Sequence, residues 1–176
     1  MPLCPHGNGW QLEWLTTWDE VWDPSFVAQW QSWIDHWPTA HVFFEPSVVR
    51  AWVEAHSETR STEPLFLIAR RGGEHAVMLP AVLTRYGWKD AWQRVIQPVG
   101  FDHFDYHDPI IAGQPSPQLW RDFWTVFVAA VEDLRKGDFL AIPRVHGHCA
   151  HAEERFSGVG TAPLIDLSAF TSFEAL

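Results

Sequence analysis

From Gly100 to Gly113 the chain reads GFDHFDYHDPIIAG, which crowds Asp102, His103, Asp105, Tyr106, His107 and Asp108 into one short loop. A carboxylate there could take a proton from an incoming amine or hydroxyl, and imidazole and phenol groups could hold such an acceptor by hydrogen bonds. On this reading Asp105, Tyr106 and Asp108 are the candidate catalytic residues, with His103 and His107 as acceptor-binding residues. The competing reading is a plain turn. Asp108-Pro109 is a common turn opener, and Asp102 and Asp105 can bond their own backbone.

Two other stretches carry chemistry-bearing residue types. His146 to Glu154, HGHCAHAEE, suggests a metal, but on a helix His148 and His151 share a face while His146 and Cys149 point elsewhere. No spacing of the H-E-x-x-H kind is present, so no metal ligand is assigned. Arg155 to Gly160, RFSGVG, matches a phosphate-binding glycine pattern literally. Such a pattern works by aiming backbone N–H groups from a strand-to-helix turn. Here the following TAPLIDL reads as a strand, so the glycines are expected to end one helix and turn into that strand.

The elements that would position the loop follow from periodicity. A strand is expected around Leu12 to Leu15, then a helix capped by Asp23 with Pro24 in its first turn, stopping at Trp37-Pro38. Along it Trp22, Phe26, Trp30, Trp33 and Trp37, widened by Val27 and Ile34, form one face expected to be core rather than a ligand platform. A second helix starts near Glu45-Pro46, with Val49, Trp52, Val53 and His56 on one side, and dissolves into SETRSTE. A hairpin turns at Gly72-Gly73. Pro80, inside its second strand, removes a ladder donor and places that strand at an edge or in a bulge. A strand covers Arg94 to Val99.

Past the polar loop, Ser116-Pro117 opens a long helix with Trp120, Phe123, Phe127, Val131 and Leu134 on one face, and Gly137 is expected to end it. DFLAIPRV reads as a strand buried on both faces. A short helix from His148 to Phe156, a last strand APLIDL and a new helix from Ser168 complete the expected order, with residues 1–167 as a single domain and 168–176 as the start of a following segment.

Composition bounds the partners. Of 176 residues, 12 are basic and 22 acidic, a net charge of −10 that repels phosphate backbones and anionic lipid, so neither nucleic acid nor membrane is an expected partner. Two cysteines make no disulfide framework, and the N-terminus has neither a basic start nor an apolar run. A cytoplasmic location is the expectation.

The order β-α-α-β-β-β-α-β-α-β matches a mixed α/β fold of the acyl-CoA N-acyltransferase (GNAT) type, a mixed central sheet flanked by helices. The phrases FFEPSVVRAWVEAH, PLFLIARRGGEHAVMLPAVL, VIQPVGFDHFDYHDPIIAG, DFLAIPRV and APLIDLS resemble the N-terminal half of the CelD-like acetyltransferase family, which is related to FemAB-type tandem acyltransferases. The resemblance implies acyl transfer from acetyl-CoA or another acyl-CoA to an amine of a sugar, peptide or other small molecule. It also implies a partner, either a C-terminal GNAT-like half or a second copy of the chain. In the GNAT family a glycine-rich cradle at the start of the long central helix holds the pyrophosphate. Here that position reads GQPSP, with two prolines that cannot donate, so no cofactor-binding residue is assigned and the acyl-CoA site is expected outside this chain. A noncatalytic binding or scaffold module that keeps the fold is the alternative, with Trp88 and Trp92 as its contacts.

Overall fold

The computed structural model describes residues 4–6, 9–37, 40–57, 61–73, 75–86, 93–146 and 149. Local capping chemistry starts its first helices. Thr17 accepts from the Glu20 amide while the Glu20 carboxylate returns to the Thr16 and Thr17 amides, a capping box that opens α1 (Trp18–Val21). Asp23 Oδ1 accepts from the amides of Ser25 and Phe26, and Pro24 occupies the first turn of α2 (Pro24–Asp35). The α2 helix stops two residues before the expected Trp37, whose own amide bonds Ile34 O. The separate turn of α1 was not expected, because four residues are too few to show a period.

A 3-10 turn (Val42–Phe44) leads into α3 (Pro46–Ser57). The long helix α4 (Pro117–Leu134) is capped by Ser116, whose Oγ accepts from Leu119 N. Arg135, in the left-handed region at φ 49°, closes it, so Gly137 is not its terminator. Gly137 instead lies close against Ile96, whose Cγ1 would be 2.7 Å from an added Cβ.

The strands form two sheets rather than one. The first contains β1 (Cys4–His6), β2 (Trp10–Leu15), β4 (Phe66–Arg71), β5 (His75–Leu79) and β8 (Ile110–Ala112), in that spatial order. The second contains β3 (Thr62–Pro64), β6 (Ala81–Arg85), β7 (Arg94–Pro98) and β9 (Phe139–Leu140). Pro80 divides them: it falls between β5 and β6, so one run of chain serves the first sheet up to Leu79 and the second from Ala81. It therefore marks a change of sheet, not the edge or bulge expected, and its carbonyl still accepts from Val99 N.

Neighbouring side chains on a strand point to opposite faces, and Arg70 and Arg71 show what each face meets. Arg70 reaches Gln29 on α2 and lies over Trp33, whereas Arg71 pairs with Asp122 on α4 at 2.7 Å and lies over Trp10. The first sheet is thus a middle layer between α2 and α4. Trp30, Trp33, Ile34 and Trp37 are buried, with Trp22 and Phe26 packed against them, as the aromatic spacing predicts. On α4 the expected face is buried at Trp120, Phe123 and Phe127, and Val131 and Leu134 reach a smaller cluster of Leu65, Ala81, Leu83 and Ile96.

DFLAIPRV departs most from expectation. Only Phe139 and Leu140 form a strand, parallel to β7, and both are exposed, at 56% and 37%. After Ala141 N bonds Ile96 O the chain leaves the ladder, since Pro143 has no amide to give and Arg144 takes φ 58°. β3 and β8 were not expected either. They are three residues each and lie at sheet edges, with β3 beginning at the end of the polar run SETRSTE. Apart from Cys149, the segments expected at 148–156, 155–160, 162–167 and 168–176, and Trp88 and Trp92, lie outside the described residues. Among the described residues no helix is long and apolar enough to cross a membrane.

Candidate functional site

The polar loop is an excursion from a single ladder. β7 pairs with β6, and β8 pairs with β5, so the segment 99–109 leaves and rejoins the same partner run. Its aromatic residues turn inward and most of its polar residues outward. Phe101 and Phe104 are buried against Trp52 of α3, and Phe104 stacks on Phe43 at 5.0 Å. Asp102, His103 and Asp105 are exposed. His103 Nδ1 accepts from Trp52 Nε1 at 3.3 Å.

The far side of the excursion is fastened to the chain that follows β9. His107 N donates to Arg144 O, Arg144 Nη1 donates to Phe104 O at 2.6 Å, and the His107 ring meets Pro143 O through Nδ1 at 2.9 Å. Asp108, only 3% exposed, takes the backbone N–H of His146 at 2.7 Å on one oxygen and the His146 ring Nδ1 on the other. Cys149 also offers its thiol to Asp108. Burial first, and then the Asp108 charge, push that thiol well above the ordinary range, so it stays protonated and is no nucleophile here.

Around the Asp108–His146 pair three rings lie nearly parallel. Tyr106 and His146 have centroids 4.1 Å apart, His41 and Tyr106 4.5 Å, and His41 and His146 5.4 Å. The backbone brings them from the 3-10 turn region, the excursion and the segment after β9. Next to the excursion lies a cavity of ≈ 500 Å³ whose walls include Gln97, Phe101, Asp102, Trp124, Phe127 and Ile142. A larger and more open acidic groove, ≈ 700 Å³, runs past Glu13, Asp19, Glu20 and Asp23 on the α1–α2 side. Two of those carboxylates, on Glu20 and Asp23, are engaged as helix caps, which leaves the excursion as the better-organised site.

Of the residues selected from sequence, the fold brings Tyr106 and Asp108 together through His146 and points Asp105 and His103 to solvent. His107 is 3% exposed, a position from which its ring supports the loop rather than meeting an acceptor. His41 and the pairing role of His146 escaped sequence reasoning. His146 is 38 positions from Asp108, and no local period links them.

Burial is the largest influence on His107 and lowers its basicity, with Arg144 acting in the same direction; the Gly100 and Pro143 carbonyls and Asp108 only partly oppose this. The unfolded chain therefore binds a proton near the ordinary imidazole value of 6.5 while the folded chain does not. Stability is expected to be level above that pH and to fall as the pH drops through and below it. Urea midpoints measured from pH 8 to pH 5 should show this decline, and His107→Gln should flatten it. An unchanged slope in the variant would assign the acid sensitivity to other groups.

The start of α4, where an acyl-CoA pyrophosphate would sit in a GNAT protein, does not fit that group. Pro115 and Pro117 have no amide hydrogen, and Ser116 Oγ already occupies the Leu119 amide. Among the described residues no group of three His, Cys, Asp or Glu side chains could hold a metal ion. Comparison with known protein families, curated proteins and solved structures finds no match to this chain.

Proposed function

We propose that this chain is a GNAT-like domain of an N-acyltransferase, the N-terminal half of a CelD-like tandem arrangement. It presents an amine acceptor, and the acyl-CoA is bound by residues outside it. The observation that carries the reading is the strand order. β2, β4, the β5–β6 run and the β7–β8 run neighbour one another antiparallel, and β9 then joins β7 parallel after crossing over through α4. A parallel pair needs such a long crossover, and this sequence of pairings supports the GNAT-like reading.

The proline-blocked start of α4 supports placing the acyl-CoA elsewhere. Calorimetric titration of the chain with acetyl-CoA, with CoA as control, is expected to give no binding heat. Micromolar binding would mean that the donor site lies on this chain after all. The acyl-transfer reading itself is tested by combining the chain with its GNAT-like partner half and following thiol release from acetyl-CoA with primary amines. Release that depends on both halves is the expected result. No release in any combination would favour the scaffold reading, to which the blocked helix start also lends support.

A further inference from the structure

We propose that the cavity beside β7 is a binding site for a small molecule that carries an apolar side group and a carboxamide, and no negative charge. The cavity exists because two strands part. β9 follows β7 only as far as Ala141, and the chain then leaves through Ile142 and Pro143, which opens ≈ 500 Å³ lined by these residues, β7 and the α4 residues Trp124 and Val128. That volume lies in the range of small-molecule sites.

One buried polar side chain lines the cavity without being fully satisfied by its neighbours. Gln97 is 4% exposed. Its Nε2 donates to Thr84 Oγ1 at 3.0 Å and its Oε1 accepts from Tyr86 OH at 3.3 Å, contacts that fix which way the amide faces. A carboxamide has two N–H hydrogens and two oxygen lone pairs, so one of each is left without a partner among the described residues. Unmet hydrogen-bonding capacity at a buried site is costly, and a second amide, offering one carbonyl and one N–H, is its complement.

The other walls set the rest of the ligand. Val128, Leu140, Ile142 and Pro143 are apolar, and the Trp124 N–H is already given to Cys149 O at 2.7 Å. Among the described lining residues none is basic, and the one charged side chain, Asp102, is a carboxylate. Nothing there offsets the desolvation of an anion, so the phosphates of CoA do not suit this cavity, and a sugar would leave its hydroxyls against apolar walls. That the ligand is the amine acceptor rests on the acyltransfer reading; that the cavity binds it does not.

The experiment is an NMR titration of the isotope-labelled chain with L-phenylalaninamide, which has the apolar group, the amide and an amine. L-Phenylalanine, which puts a carboxylate in place of the amide, and phenethylamine, which lacks the amide, are the controls. Saturable shifts are expected at the Gln97 side-chain amide, with intermolecular contacts from the ligand ring to the Leu140 and Ile142 methyl groups. Both controls, and Gln97→Met with the amide probe, should bind roughly three- to tenfold more weakly, the effect of one lost hydrogen bond. The absence of saturable shifts, ligand contacts elsewhere on the chain, equal binding of the controls, or displacement of the probe by CoA would each overturn the proposal, even if the variant failed to fold. A folded Gln97→Met chain with undiminished affinity would overturn it as well. Failure of acyl transfer with these binding results intact would remove the acceptor role and leave the site.

Discussion

Trp30→Ala is expected to lower the unfolding free energy by about 3–5 kcal/mol, the range for deleting a fully buried large aromatic side chain. Trp30 has no solvent exposure and joins α2 to the first sheet through one ring. It meets Phe66 edge-on at 5.7 Å, stacks on Trp22 at 6.4 Å and tilts against Phe26 at 6.2 Å. Removing it opens a void in a layer that β4 and α2 cannot close without moving. The same ring carries a buried Nε1 with no hydrogen-bond partner among the described residues. Trp30→Phe should therefore lose much less than the alanine variant, because it keeps most of the ring contacts and removes an unsatisfied donor. Urea unfolding of both variants decides the point. A loss below about 1 kcal/mol for alanine, far under that range, would show that the aromatic face is not the core of this layer.

A comparable loss is expected at Gly100, where the excursion leaves β7. Gly100 has φ 75°, and an added Cβ would lie 2.1 Å from Cδ2 of Phe104. The Gly100 carbonyl also takes the amides of His103 and Phe104, both at 2.8 Å, so neither side of the contact can withdraw freely. Gly100→Ala should cost roughly 2–5 kcal/mol, combining left-handed backbone strain of ~1–2 with overpacking of ~1–3. Gly72 is the control. It has φ 64° with nothing within 4 Å of an added Cβ, so Gly72→Ala should show the strain alone. Equal losses at the two glycines would mean that the Phe104 ring swings aside and that the excursion is loosely built.

The parts of this fold that could be read in the sequence are those whose cause is local. Asp23-Pro24 and Ser116-Pro117 start helices where expected because the capping oxygen lies within three residues of the amides it accepts from. The aromatic steps along α2 and the Gly72-Gly73 hairpin are local in the same sense. β3 and β8 were hidden, because strands of three residues at an edge are defined by a partner rather than by a period. DFLAIPRV misled because its apolar run suits a buried strand, while Pro143 and the left-handed Arg144 take the chain off the ladder.

At the candidate site, residue types showed a cluster but not its working arrangement. Asp105 and Asp108 look alike in sequence, yet one is exposed and the other is sealed under His146. The difference arises from the segment after β9, which folds back over one end of the loop. His41 gave no signal, since a lone histidine before VFF has no period or motif to mark it.

The junction at Pro80 bears on how this protein can change over time. While one run advances from Pro98 to Ile110, its partner retreats only from Ala81 to Met78, so the surplus chain is extruded from a neck secured on both sides by ladder pairing. Exposed positions of the excursion, Asp102, His103 and Asp105, can therefore be exchanged without shifting the register of either sheet. The ladder register is thus independent of what the excursion contains, whereas Phe101 and Phe104 tie it to the core, so the freedom to vary falls on those exposed positions.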